Sequence, residues 1–147
     1  ARVLRRGPKI RAAVLYGSVA RGRAKRESDV DLLIIVEEGP REAWKELIRH
    51  EMSEEVEEEV EWLASKGIYT HITILPMSVK RFRKHPFILL DIVEDGIPIY
   101  DDGAYEAEVR KIRKALERLG TKRIFLSDDE WYWDLKSDYR PGELIEI

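Results

Sequence analysis

LYGSVARGRAKRESDVD, residues 15–31, joins two apolar runs through a Gly-Ser pair and a basic loop, and sets two aspartates, Asp29 and Asp31, at the mouth of the second run. The first run, IRAAVLY at residues 10–16, reads as a short strand halted at Gly17. The second, VDLLIIV at residues 30–36, is apolar on both alternating faces, which predicts an inner strand covered on both sides. Between them, residues 19–27 have room for one helical turn and a loop.

Side chains alternate along a strand, so Asp29 and Asp31 should share a face with Cα atoms roughly 6.6 Å apart. Two such carboxylates repel, and one tends to hold a proton unless a cation intervenes. Oxygen ligands without thiolates suit Mg²⁺ or Mn²⁺, and magnesium held by one or two carboxylates completes its shell with phosphate and water. The Gly-Ser pair supplies a complementary half: glycine admits a ligand close to the backbone, a helix starting there aims N–H groups at an anion, and Ser18 adds a hydroxyl donor. Arg21, Arg23, Lys25 and Arg26 lie in the joining loop, where they either neutralise a polyphosphate or remain solvated surface charge. For the aspartate pair, the plainer alternative to metal binding is a solvated strand end.

Outward from this segment, Gly39-Pro40 closes the second strand. Trp44, Leu47, Ile48, Met52, Val56, Val60 and Leu63 then recur at spacings of three and four, predicting one long amphipathic helix, or two in line, ending near Gly67. Its acidic run SEEVEEEVE, residues 53–61, is either the wet face of that helix or a surface for a basic partner. IYTHITIL, residues 68–75, predicts a third strand stopping at Pro76. KRFRKH, residues 80–85, reads as a charged helix start or as part of a polyphosphate- or RNA-binding surface. His85-Pro86 opens a short helix through Phe87, Leu89, Leu90, Ile92 and Val93, capped by Gly96, and IPIYD, residues 97–101, is a small edge strand or extended link because of Pro98.

Tyr105, Val109, Ile112, Leu116 and Leu119 mark an amphipathic helix from Ala104 to Leu119 that Gly120 stops. In the tail, Ser127 with Glu130 fits a helical capping box, whereas Trp131, Trp133 and Leu135 alternate as in a strand, so both readings stand. Tryptophans are usually buried or used at interfaces, so this tail should dock, on its own domain or on a second subunit as in a homodimer. The whole predicts a small mixed α/β (α+β) domain.

Composition narrows the function. The chain has 147 residues, enough for one domain with a real core. Its net charge of -3 gives no global electrostatic case for nucleic acid or for an anionic membrane, so any basic surface is local. The absence of cysteine excludes disulfides and thiolate chemistry and suits a cytosolic protein. Apolar runs fall far short of the ~20 residues of a membrane span, and the N-terminal stretch has no secretory h-region, so a soluble, cytoplasmic protein is expected. Charged residues at 37%, with no Asn and no Gln, are what a hyperthermophile source would favour.

Gly17 and Ser18, ten intervening residues, Asp29, one residue and Asp31 resemble the G-S-x(10)-D-x-D signature of the DNA polymerase beta-like nucleotidyltransferase superfamily. The fuller string GSVARGRAKRESDVDLLI resembles the minimal nucleotidyltransferases of archaea and bacteria, with the archaeal type as the nearer likeness. The motif covers about residues 12–37, and the order strand, Gly-Ser turn, strand, helix, strand follows that fold to residue 75. The resemblance implies a nucleotidyltransferase palm, a small mixed sheet flanked by helices, over residues 1–103. Residues 104–147 add a C-terminal helix and aromatic-rich tail in the same globular unit.

It further implies that Gly17, Ser18 and Arg21 hold nucleotide phosphates while Asp29 and Asp31 bind Mg²⁺ (or Mn²⁺). The reaction implied is transfer of a nucleoside monophosphate, AMP from ATP, to an acceptor hydroxyl, with release of pyrophosphate. Active members commonly carry a third acid on the strand after the long helix; IYTHITIL has none, and His71 and Thr73 stand there instead. His71 either substitutes as base or ligand or is a structural histidine, and Asp91 or a partner's carboxylate are other ways to complete the site. The resemblance also implies a partner, since minimal nucleotidyltransferases are often paired as antitoxins with HEPN-domain proteins and in some cases add AMP to a tyrosine of the toxin. Alternatives are an antitoxin acting by contact alone and a transferase acting on a small molecule or an RNA end.

Overall fold

The computed structural model of the chain describes residues 9–37, 45, 49 and 54–147. In chain order the elements are β1 (Ile10–Tyr16), α1 (Gly17–Ala20), β2 (Val30–Val36), α2 (Glu54–Ser65), β3 (Ile72–Ser78), α3 (Val79–Phe82), α4 (Leu89–Asp95), β4 (Ile97–Asp101), α5 (Ala104–Leu119), β5 (Lys122–Phe125) and β6 (Trp131–Asp134). Four strands form one sheet in the order β3-β2-β1-β4. β1 runs antiparallel to both β2 and β4, whereas β2 and β3 are parallel, so the sheet is mixed as expected.

β2 is an inner strand because its alternating apolar residues have two faces to fill. Leu33 and Ile35 are fully buried in the main core, with Val14, Met77, Phe82, Ile92 and Ile112. Ile34 and Val36 point the other way, against Ala13, Leu32 and Ile74. A parallel β2–β3 pair needs a long crossover, and α2 lies within it. Val56, Val60 and Leu63 of α2 line a cleft with Val30 and Ile72, with Glu55 and Glu59 exposed at its edge, while Glu54, Glu57, Glu58 and Glu61 are exposed on α2 outside it. Lys45 and Arg49 are helical and exposed, in keeping with the expected periodicity; Gly39, Pro40, Trp44, Leu47, Ile48 and Met52 lie outside the described residues.

The third strand departs from expectation. It spans Ile72–Ser78 rather than residues 68–75, and Pro76 lies inside it. The reason is nonlocal: β2 begins only at Val30, and the first rung is the Val30 N–H donating to the His71 carbonyl at 2.8 Å, so residues 68–70 have no strand to pair with. They fasten instead to the preceding loop, the Tyr69 N–H donating to the Arg26 carbonyl at 2.7 Å and the Thr70 hydroxyl to the Ser28 carbonyl at 2.8 Å. Pro76 is tolerated because β3 is an edge strand and needs ladder donors on one side only.

Within KRFRKH the helical part is short: α3 is capped by the Ser78 hydroxyl, which accepts from the Arg81 N–H at 3.1 Å, and buries Phe82. α4 starts at Leu89, later than His85-Pro86 promised, and Gly96 does end it, in extended rather than left-handed backbone. A Cβ at Gly96 would overlap the Ile92 carbonyl, so space rather than φ selects glycine there. α5 runs from Ala104 to Leu119 as its periodicity predicts and sends Tyr105, Val109 and Ile112 into the core. Its start is set by Asp101, whose carboxylate accepts the N–H groups of Gly103, Tyr105 and Glu106 at 2.9–3.1 Å.

One buried charge escaped the periodicity argument. Glu108 of α5 is 5% exposed and accepts from Lys111 at 2.9 Å while its other oxygen meets His85 Nε2 at 2.7 Å. Burial pushes its carboxyl up, but the His85 and Lys111 hydrogen bonds outweigh that and hold it below the usual carboxylate value.

The tail resolves as a strand pair. β5 and β6 form an antiparallel hairpin, and the Leu126 and Ser127 N–H groups both donate to the Glu130 carbonyl, so Ser127 and Glu130 belong to a turn and not to a helix cap. The hairpin docks on the chain's own α4: the indole N–H groups of Trp131 and Trp133 donate to the same Asp91 oxygen at 2.7 and 2.8 Å. Trp62, by contrast, is 58% exposed on α2. Among the described residues no helix is long and apolar enough to cross a membrane.

Candidate active site

Antiparallel pairing of β1 with β2 sets Tyr16 opposite Asp31, which brings the start of α1 against the aspartate pair. Gly17 has φ +75, and a Cβ on it would overlap the Asp31 Oδ2. Glycine is therefore required twice, for left-handed backbone and for the approach of a carboxylate. The loop that follows closes on itself, the Arg21 N–H donating to the Gly17 carbonyl at 3.2 Å and the Arg23 N–H to the Ser18 carbonyl at 2.9 Å. Its far end is fixed by Ser28, whose hydroxyl accepts from the Lys25 N–H at 2.8 Å and whose carbonyl holds Thr70.

Asp29 is exposed and accepts the His71 backbone N–H at 3.3 Å; Asp31 is half-buried and lies in register with Thr73 of β3. Alternation places Asp29, Asp31, His71 and Thr73 on one face of the two parallel strands. Burial and then the charge of Asp29 push the Asp31 carboxyl above its usual value, and the opposing pull of Arg21 is too weak to cancel them. The Tyr16 hydroxyl is raised too, first by burial and then by Asp31. The electrostatics are those of a site short of positive charge.

The donor set fits one kind of metal site and not another. Two carboxylates on one face, one of them against the Gly17 backbone, would suit a hard divalent ion that takes its remaining ligands from phosphate and water. Among the described residues no group of three or more His, Cys, Asp or Glu side chains is arranged to hold a metal. The register leaves Thr73, not an acid, beside Asp31, and His71 meets Asp29 through its backbone. Asp91 is committed to the two indoles on α4.

Arg21 is placed differently from its loop neighbours. Its guanidinium lies 4.7 Å from the Trp131 ring centroid and 3.8 Å from Asp95. Arg123 of β5 grips the same Asp95 through both oxygens, at 2.7 and 3.2 Å. Arg23 and Lys25 reach only the exposed turn of the hairpin, 3.9 Å from Asp128 and Asp129 respectively. The sequence reading had no signal for Asp95, Arg123 or Trp131 as neighbours of Arg21, because the hairpin's docking is a tertiary event.

A family model described as a nucleotidyltransferase domain matches residues 1–98, a span that includes the Gly-Ser turn and both aspartates and ends within β4. No curated protein matches the chain. Among solved structures, the crystal structure of a toxin–antitoxin with AMP-PNP aligns with a TM-score of 0.44 at 19% identity, over 76% of this chain and 78% of that chain. The MntA–HpeT toxin–antitoxin carrying a tyrosine-to-alanine substitution aligns at 0.42 and 18%, over 76% and 77%. The same pair carrying two aspartate-to-glutamate substitutions aligns at 0.44 and 17%, over 76% and 78%.

Proposed function

The chain belongs to the nucleotidyltransferase domain family, and from that premise we propose that it binds a nucleoside triphosphate with Mg²⁺ (or Mn²⁺) and transfers AMP from ATP to a hydroxyl of a partner protein. The observation that supports this reading is the Asp31 carboxylate seated over Gly17 with Asp29 on the same face, where among the described residues the pull of Arg21 does not cancel the burial and like charge that raise Asp31. Asp29 and Asp31 are the metal ligands and catalytic residues. Gly17 lets phosphate oxygens approach the backbone, while the Ser18 hydroxyl and the Arg21 guanidinium donate to them. An ion held by Asp29 and Asp31 would neutralise phosphate charge and lower the pKa of an attacking hydroxyl.

In the transfer, the acceptor oxygen bonds to the α-phosphorus as the bond to the β-phosphate's bridging oxygen breaks, and pyrophosphate leaves. The acceptor's proton needs a destination. We assign that role to His71, one residue before β3, whose backbone N–H donates to Asp29.

The partner proposed is a HEPN-domain protein, with this chain as its cytoplasmic antitoxin, and it rests on the likeness of GSVARGRAKRESDVDLLI to minimal nucleotidyltransferases. One observation favours a second reading, an antitoxin that neutralises by contact: Thr73 stands beside Asp31 where active members commonly place an acid. Incubation with the HEPN protein, ATP and Mg²⁺, followed by intact mass, separates the two. A partner heavier by one or more AMP units, unchanged in mass with Asp29→Ala or Asp31→Ala, supports transfer. Neutralisation that persists in both variants, with no added mass, supports contact alone.

A further inference from the structure

The β5–β6 hairpin lies beyond the residues the family model matches, yet it encloses Arg21. We propose that Arg123 is a positioning residue for the nucleotide site: by holding both oxygens of Asp95 it prevents that carboxylate from capturing Arg21, whose guanidinium stays available to a triphosphate. The proposal rests on the nucleotide reading of Gly17, Ser18 and Arg21 given above.

Asp95 has two arginines in reach and serves them unequally. Arg123 makes the planar two-bond contact that guanidinium and carboxylate prefer, whereas the Arg21 nitrogen, at 3.8 Å, is beyond hydrogen-bonding distance. Arg21 is held instead by the face of Trp131, a contact that uses none of its N–H donors. That ring is itself fixed by its indole bond to Asp91. Among the described residues the Arg21 Nε is buried without a hydrogen-bond partner, as is that of Arg123. Arg21 is thus oriented while its terminal nitrogens make no hydrogen bond among the described residues, the state in which a planar guanidinium can grip phosphate oxygens.

The Asp95 and Arg123 side chains are only 12% and 15% exposed, so water cannot readily replace either partner. With Arg123 gone, the nearest cation to Asp95 is Arg21, which would swing from 3.8 Å into hydrogen-bonding contact and lose donors to it. A purely structural Asp95–Arg123 pair predicts something different, namely that both side chains matter for stability and neither for ligand affinity.

Calorimetric titration of the full chain with ATP in excess Mg²⁺ tests this, with thermal melting run on each variant. Arg123→Met should bind roughly 10- to 100-fold more weakly than the native chain. Asp95→Asn in the same background should restore affinity to within about threefold of native, a rescue that lost packing cannot produce. Asp95→Asn alone, which tests the idea even where Arg123→Met does not fold, should bind as tightly as native or more tightly. Native-like binding by Arg123→Met, failure of the double variant to recover, or weakened binding by Asp95→Asn overturns the positioning role while leaving the nucleotide site intact. Failure of the native chain to bind overturns the nucleotide reading and this inference with it, whereas native-like binding by Arg21→Ala overturns this inference and the phosphate role of Arg21 alone.

Discussion

Two pairs of aspartates in this fold meet opposite fates. Asp91 and Asp95 on α4 are surrounded by donors: two indole N–H groups converge on the first and a bidentate arginine on the second. Asp29 and Asp31 at the mouth of β2 receive one backbone N–H between them among the hydrogen bonds described, and Asp31 is pushed toward its protonated form. The first arrangement is what a fold does with carboxylates it uses for its own assembly. The second leaves negative charge that, among the described residues, only Arg21 partly offsets, beside a glycine whose lack of a side chain admits one Asp31 oxygen. Among the described residues the Asp29–Asp31 pair is the less neutralised of the two, which is why we propose it as the place of a cationic ligand.

Substitutions should break this contrast in graded ways. The largest effect falls on function: Asp31→Asn should lower nucleotidyl transfer, followed by partner mass or pyrophosphate release, roughly 10³-fold. The same variant should melt no lower than the native chain, because a like-charge conflict of up to about 1 kcal/mol is relieved. Gly17→Ala combines left-handed strain with overlap on Asp31, and should cost about 1–3 kcal/mol in urea unfolding as well as nucleotide binding.

Asp91→Ala is the mirror case. It strands two indole donors and should lower unfolding free energy by about 2 kcal/mol, seen in a urea melt, with the tryptophan fluorescence of the hairpin shifted toward that of exposed indole. Smallest is Arg23→Ala, whose one ion pair is solvent-exposed at both ends and should change stability by no more than about 0.5 kcal/mol. Equal melting losses in Asp31→Asn and Asp91→Ala would erase the distinction between the two pairs.

The pH dependence should carry the same contrast with opposite signs. Asp31 has a folded-state pKa above its unfolded value, so without metal its contribution to stability declines as pH rises from the ordinary carboxylate range through the raised value. Glu108 is depressed, so its contribution is present above the unfolded value and is lost as pH falls through the folded one. Melting temperatures of native, Asp31→Asn and Glu108→Gln chains across the acidic range separate the two slopes, and saturating Mg²⁺ should remove the Asp31 component.

Local signals were legible in the sequence and distant ones were not. IRAAVLY, VDLLIIV and the stripe from Tyr105 to Leu119 became β1, β2 and α5 with the expected bounds, since each is defined by its own periodicity and stop residue. The spacing of Gly17, Ser18, Asp29 and Asp31 could be read because a single hairpin-like connection brings them together. The start of β3 could not, because it depends on where β2 begins, and neither could the hairpin, whose alternation competed with a plausible capping box until α4 supplied Asp91 as its partner. Arg21 was legible as a residue and not as an environment, since Trp131, Asp95 and Arg123 reach it only through tertiary packing.

Asp29 and Asp31, together with the Gly17–Ser18 turn, are proposed here as the site of a metal-bound nucleotide. Calorimetric titration of ATP into the native chain, with Mg²⁺ and again with a chelator, and into Asp31→Asn with Mg²⁺, measures it directly. The native chain should bind saturably only when the metal is present and Asp31→Asn not at all, although that variant melts as high as the native protein. Equal ATP binding in all three titrations would contradict this proposal.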